Sequence, residues 1–317
     1  MTRPTANSQA RPSARRPTRR RLRERGSSLL LVLWAVMLMS MAVLGLVDHL
    51  SRGLDESIEA EKEFRTRWIL ESARTLAEHP AIGRGDPLLR RQVTSATDFA
   101  VTVSTEGTRL AINTLGENRA QRDFAQRLFE KWGLTSADAR TLVDSIADWI
   151  DANDRPRRQG AERDYYTAQG RPDFPFDRPF ENINDVLLVR GAAEIDRRHP
   201  AWRDSMTLYG EGTIDLHLAS SQLLEALFDV TPSEVGRFVR TRLGPDGVPD
   251  TQDDPRYTTL AQVRALLDVP ELNYRAAAQL LTLDHPIRRT ECVARAGRFE
   301  RRLILIRGGG VNLIKEE

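Results

Sequence analysis

The chain has 317 residues, of which 40% are hydrophobic and 29% charged, with a formal net charge of +2. This length and apolar content suit one large domain or two ordinary ones and exclude a chain disordered throughout. Residues 1–26 hold nine arginines against Glu24, a net +8 that leaves −6 for residues 27–317 and argues against nucleic-acid binding through bulk charge.

Cys292 is the single cysteine, so no disulfide can form within the chain. His49, His79, His199, His217 and His285 are scattered without the spacing of a metal motif.

Residues 1–26 are rich in Arg, Pro, Ser and Thr, carry no apolar period and read as a solvated tail. Leu29–Val47 follows as nineteen uncharged residues broken only by Ser40 and Gly45. At helical rise this run spans about 28 Å, the thickness of a bilayer core. The arginines before it predict a cytoplasmic amino terminus and an outward remainder. A cleaved secretory signal is the competing reading, but the run is long for one, and the exit V-D-H-L-S-R offers no small-x-small site. Helical spacing continues through Leu54, Ile58, Phe64, Trp68, Ile69, Ala73 and Leu76, predicting one long helix that ends near His79-Pro80.

Phe99–Ser104 alternates as a strand does, and a second short strand through Ile112 predicts a hairpin. Helices are predicted from Arg119 to Asp151, with a break at Trp132–Thr135 and a cap at Thr135 or Ser136. Residues 152–180 are polar and Pro-rich. Further helices are predicted at Ile183–Val189, Ser220–Phe228, Pro232–Arg242, Thr259–Leu267 and Tyr274–Leu281. Thr290–Arg307 reads as two strands joined near Gly297.

Gly26 stands between the basic leader and the apolar helix, with Ser27 next. A small residue held at the cytoplasmic membrane surface by the helix behind it is what a prepilin peptidase needs; the ordinary alternative is helix capping. Four blocks carry a wider resemblance: Leu142–Pro156 (LVDSIADWIDANDRP), Gly160–Tyr166 (GAERDYY), Arg178–Gly191 (RPFENINDVLLVRG) and Gly210–Leu227 (GEGTIDLHLASSQLLEAL). In order and spacing, over about residues 26–307, the chain resembles the general secretion pathway protein K family.

That resemblance implies an α+β fold: a pilin-like long N-terminal transmembrane helix and antiparallel β-sheet with a large inserted α-helical domain. The expected segments are the leader 1–26, the helix 27–80, pilin-like strands 81–113, the inserted helical region 114–285 and C-terminal strands 286–317. The implied function is that of a minor pseudopilin of a type II secretion system, promoting pseudopilus assembly and export of folded periplasmic proteins across the outer membrane. Expected partners are other minor pseudopilins, the major pseudopilin, prepilin peptidase, the inner-membrane secretion platform and membrane lipid, with no nucleic acid. The expected location is the inner membrane, single-pass, with the C-terminal domain periplasmic. Rival readings are a minor pilin of a type IV pilus and a signal-anchored periplasmic enzyme.

Peptidase cleavage after Gly26 and N-methylation of Ser27 are implied in turn. Major pilins carry glutamate at the fifth mature position; here that position is Leu31, and the K family is similar in lacking the acid. Leu31 and the bulk of the insertion together lead to an expected place at the pseudopilus tip.

Two acidic stretches are candidate calcium sites, because calcium takes six to eight oxygens in irregular geometry. The first is Asp151, Asn153, Asp154, Glu162 and Asp164, following Asp144 and Asp148 on the preceding helix. Its alternative is plain pairing with Arg155, Arg157, Arg158 and Arg163. The second is Asp246, Asp250, Asp253 and Asp254. Neither has the spacing of an EF-hand. With no nucleophile–base pair, phosphate loop or metalloprotease motif in the sequence, the chain reads as a non-enzyme with no certain cofactor.

Overall fold

The computed structural model describes residues 24–116 and 118–316, so most of the expected leader lies outside the described residues. The chain divides into two units, the first ending at Glu61 and the second running Lys62–Glu317. Helix α1, Glu24–Glu78, contributes to both. In the first unit its apolar residues from Leu29 to Val47 stay exposed, and mean hydropathy reaches 2.6 over the most apolar window. A helix of that length and composition, exposed along its apolar run, is suited to lipid.

The second unit holds a five-stranded antiparallel sheet in the order β1 (Arg90–Thr94), β2 (Thr97–Thr105), β7 (Arg288–Ala296), β8 (Phe299–Gly308) and β9 (Val311–Glu316). Alternation along β2 turns Phe99, Val101 and Val103 to one face. There they pack with Cys292, Ala294, Leu303 and Leu305 from β7 and β8, and with Leu70, Ala73 and Ala77 of α1. The small Ala73 and Ala77 let the helix sit close on the sheet.

Between β2 and β7 the chain makes its excursion. Thr105, the last residue of β2, is the register partner of Arg288, the first of β7. Everything from Glu106 to Ile287 therefore leaves and re-enters the sheet at one point, and the ladder closes as though nothing intervened.

The excursion contains two-residue strands β3 (Leu110–Ala111) and β4 (Met206–Thr207), which pair in parallel, and β5 (Ile214–Asp215) and β6 (Leu281–Thr282), which do the same. Its helices are α2 (Arg119–Lys131), α3 (Ser136–Ile150), α4 (Arg163–Ala168), α5 (Ala192–Arg198), α6 (Trp202–Ser205), α7 (Ser221–Phe228), α8 (Pro232–Thr241), α9 (Leu260–Arg264) and α10 (Glu271–Ala277). Their apolar faces form one large core with Phe124, Phe129, Trp149, Trp202, Phe228 and Phe238 at its centre.

The expected hairpin of Phe99–Ser104 with the strand through Ile112 is corrected here. β2 pairs instead with the preceding β1, and Leu110–Ala111 pairs with β4. Leu110, Ile112 and Leu115 are buried in the helical core, so the insertion starts at Glu106 rather than at residue 114. The carboxyl end carries a third strand, β9, beyond the two expected.

Candidate functional site

The two acidic stretches fold differently. In the first, α3 delivers Asp148 into the interior, where it is fully buried. The next turn brings Arg157 back onto it: Arg157 Nη1 donates to Asp148 Oδ1 at 2.7 Å, and its backbone N–H donates to the same carboxylate at 3.1 and 3.2 Å. The same Nη1 also binds Asp151 Oδ2, and Nη2 donates to the Gly116 carbonyl at 2.8 Å. Burial still raises the Asp148 pKa above the ordinary carboxylate value, against the lowering effect of its bonds from Arg157. A Cβ built on Gly160 would collide with Asp148 Oδ2, which explains the glycine in GAERDYY.

Glu162 caps α4 and is only 3% exposed, yet neither of its carboxylate oxygens has a hydrogen-bond partner. Burial, then the negative charges of Asp148, Asp151, Asp177 and Asp154, push its pKa up to about 8. Asp177, held at φ 53°, pairs with Arg163 at 3.2 Å through Oδ2, while its Oδ1 is buried without a partner. Arg163 reaches Asp154 at 3.4 Å. Five carboxylates, those of Asp148, Asp151, Asp154, Glu162 and Asp177, thus share two arginines. A buried carboxylate without a partner stays neutral or takes a cation.

Asn153 turns its side chain onto the local backbone, accepting from Arg155 N at 3.0 Å and donating to Asp151 Oδ1 at 2.6 Å. Asp164 is exposed on α4. The arginine pairing weighed against calcium is therefore present for Asp151 and Asp154, and the carboxylates it leaves out are the buried Glu162 and the exposed Asp164. The sequence reading did not single out Asp177; its one signal was an aspartate in the Pro-rich segment before Arg178.

In the second stretch Asp246, Asp253 and Asp254 bring ligand atoms within 4.8 Å of one another, the one such set of three carboxylates among the described residues. Asp250 departs from the expected set: its carboxylate lies 3.3 Å from Arg84 Nε. Asp253 Oδ2 accepts from Asp246 N at 3.1 Å, and Asp254 Oδ2 from Asp250 N at 2.6 Å. The hydroxyl of Thr251 and the Asp246 amide hold the Asp253 pKa below the usual carboxylate range.

At the other end of the chain, Gly26 and Ser27 lie in the first turn of α1. Leu31 is 71% exposed on the apolar face of that helix.

Comparison with known proteins gives a consistent set of likenesses. The family model for "Type II secretion system (T2SS), protein K" matches residues 108–198. The type II secretion system protein K of Pseudomonas aeruginosa is 23% identical over 216 residues, covering 67% of this chain and 64% of that protein. That of Klebsiella pneumoniae is 24% identical over 199 residues, covering 53% of this chain and 58% of that one. The chain thus spans less than two thirds of the length of these relatives. A chain in the crystal structure of the GspK-GspI-GspJ complex from the enterotoxigenic Escherichia coli type 2 secretion system superposes with a TM-score of 0.58 at 16% identity. That match covers 83% of this chain and 98% of the other, which makes it a likeness of fold.

Proposed function

We infer that this chain, a relative of type II secretion system protein K in sequence and in fold, works as a minor pseudopilin. Its apolar helix anchors it in the inner membrane, with the basic leader cytoplasmic and the sheet and helical region periplasmic. Prepilin peptidase removes the leader after Gly26 and methylates Ser27. The mature helix then packs with sister helices, and the periplasmic part docks with other minor pseudopilins, as in the complex of the similar Escherichia coli protein. The chain performs no catalysis; it helps start a pseudopilus that exports folded proteins across the outer membrane.

The observation that carries this reading is the insertion point between Thr105 and Arg288, where a large helical body grows from a complete pilin-like sheet. A subunit inside a filament must offer compatible surfaces above and below, whereas a terminal subunit satisfies only one side, so this bulk favours the tip. Leu31 agrees: a carboxylate there without a partner ahead of it in the bilayer would cost several kcal/mol.

Calcium fits the acidic turn through Glu162, whose two unpartnered oxygens lack a counter-charge. Asp246, Asp253 and Asp254, whose ligand atoms converge, would supply hard oxygen ligands in the second loop, whereas at Glu162 the paired Asp151 and Asp154 would have to turn toward the ion. In both places the ion would neutralise crowded carboxylates.

The test is to pull the tagged chain from inner membranes of its host and identify by mass spectrometry what comes with it. Sister minor pseudopilins should co-purify and depend on the intact helix. Recovery of pilus subunits in their place would move the chain to a type IV pilus.

A further inference from the structure

Outside the acidic turn, α2, α3 and the segment at Arg157 border an open surface cavity of about 390 Å³. Five arginines line it, Arg119, Arg122, Arg140, Arg157 and Arg158, against Asp123 and Asp144. Two of the five are fixed by one peptide group. Arg122 Nη1 donates to the Gly116 carbonyl at 3.1 Å and to Leu115 O at 2.8 Å, while Arg157 Nη2 donates to the same Gly116 oxygen at 2.8 Å. Two guanidinium groups are thereby held close together at small entropic cost. The pKa of Arg122 is lowered, first by burial and next by the charge of Arg157.

The carboxylates on the wall leave this repulsion in place. Asp123 pairs with Arg119 at 3.8 Å, and Asp144 accepts from the Gln159 amide at 3.1 Å. Arg157 is matched by Asp148 and Asp151. Arg122, Arg140 and Arg158 remain without an ion pair among the described residues, the last two exposed at the rim. The end of α2 adds nothing, since Asn118 Oδ1 already accepts from Ala120 N at 3.0 Å and Gln121 N at 3.3 Å.

We propose that this cavity binds a phosphate group, with Arg122 preset on its inner wall and Arg140 and Arg158 closing from the rim. Several forked donors converging from different elements suit a tetrahedral, multiply charged oxyanion, whereas a planar carboxylate is satisfied by a single fork. The volume lies at the low end of small-molecule sites, enough for phosphate carrying a short polyol. The phosphate is either free or part of a glycerophosphate head group. The site stands on this cluster alone and is independent of the secretion reading.

The full chain in detergent is titrated calorimetrically with inorganic phosphate and, separately, with sn-glycerol 3-phosphate, against chloride at matched ionic strength. Saturable binding of either is expected. Tighter binding of the glycerol ester identifies the head group as the source, and equal binding identifies free phosphate. The double variant Arg140→Ala/Arg158→Ala should bind at least tenfold more weakly with an unchanged melting temperature in chloride, and Arg140→Lys/Arg158→Lys should fall between. Absence of saturable binding in the wild-type chain overturns the proposal. So does a folded double alanine variant that binds as tightly as wild type.

Discussion

Thr105 and Arg288 stand opposite each other in the sheet although the whole helical region separates them in sequence. The core between the sheet and α1 contains no residue of the stretch 106–287. Across the junction Thr105 Oγ1 donates to Asp215 Oδ2 at 3.0 Å and Arg289 pairs with Glu106 at 3.5 Å, and on the other face of the sheet a small apolar cluster joins Tyr209 and Ile287 to Ile304 and Ile306.

Replacing residues 106–287 by a short Gly/Ser linker should therefore leave a folded, β-rich protein with one cooperative melting transition. Far-ultraviolet circular dichroism and thermal melting of the shortened chain in detergent check this. A chain without a transition would mean that the sheet needs the helical body to fold.

Gly160→Ala places a methyl group against the buried Asp148 carboxylate. Overpacking of this kind costs about 1–3 kcal/mol, and displacing Arg157 from its partners adds to it. Urea titration should show a loss of about 2 kcal/mol or more, with Ala161→Gly as the control for chain flexibility.

Trp149 meets the rings of Tyr166, Phe174, Phe176 and Phe180 at centroid distances of 5.3–5.8 Å. Trp149→Ala should destabilise by about 3–5 kcal/mol, because the cavity is walled by rings from several segments that cannot all collapse into it. Denaturant unfolding of the variant measures the cost.

Glu162 gives a pH dependence whose sign is fixed. Its folded pKa of about 8 lies above the ordinary glutamate value of 4.5, so the folded state binds the proton more tightly than the unfolded chain. In chelator, stability should fall as pH rises from about 4.5 to 8 and level off beyond, by at most about 5 kcal/mol. Glu162→Gln should flatten this dependence. Calcium at a hundredfold excess over its dissociation constant should restore about 2.7 kcal/mol to the wild type at pH 8 and less to Glu162→Gln. Identical melting of the wild type with calcium and with chelator would remove the ion from the account.

What could be read before the fold was known follows from range. The apolar run Leu29–Val47 and most of the helices are local patterns of period 3.6, and they stand where expected. β1 leaves no pattern in the sequence, because Arg90-Arg91-Gln92-Val93-Thr94 is an exposed edge strand with no buried face to make it alternate. β9 was hidden behind Gly308-Gly309-Gly310, three residues of positive φ that read as an end and serve as a turn. Leu110–Ala111 reads as half of a hairpin because its true partner, Met206–Thr207, lies beyond any local window. At the acidic turn the aspartates were legible as a cluster, but the burial of Glu162 and the contribution of Asp177 depend on the packing of α4 and its following loop.

The central claim, that this chain is a minor pseudopilin carried at one end of its filament, is tested most directly by electron microscopy. The periplasmic region is tagged, pseudopili are sheared from cells and the tag is labelled with gold. The account predicts label at one end of each filament, together with a mature amino terminus at N-methylated Ser27 in mass spectra of the same preparation. Label spaced along the shaft, or filaments without label beside an unprocessed leader, would contradict it.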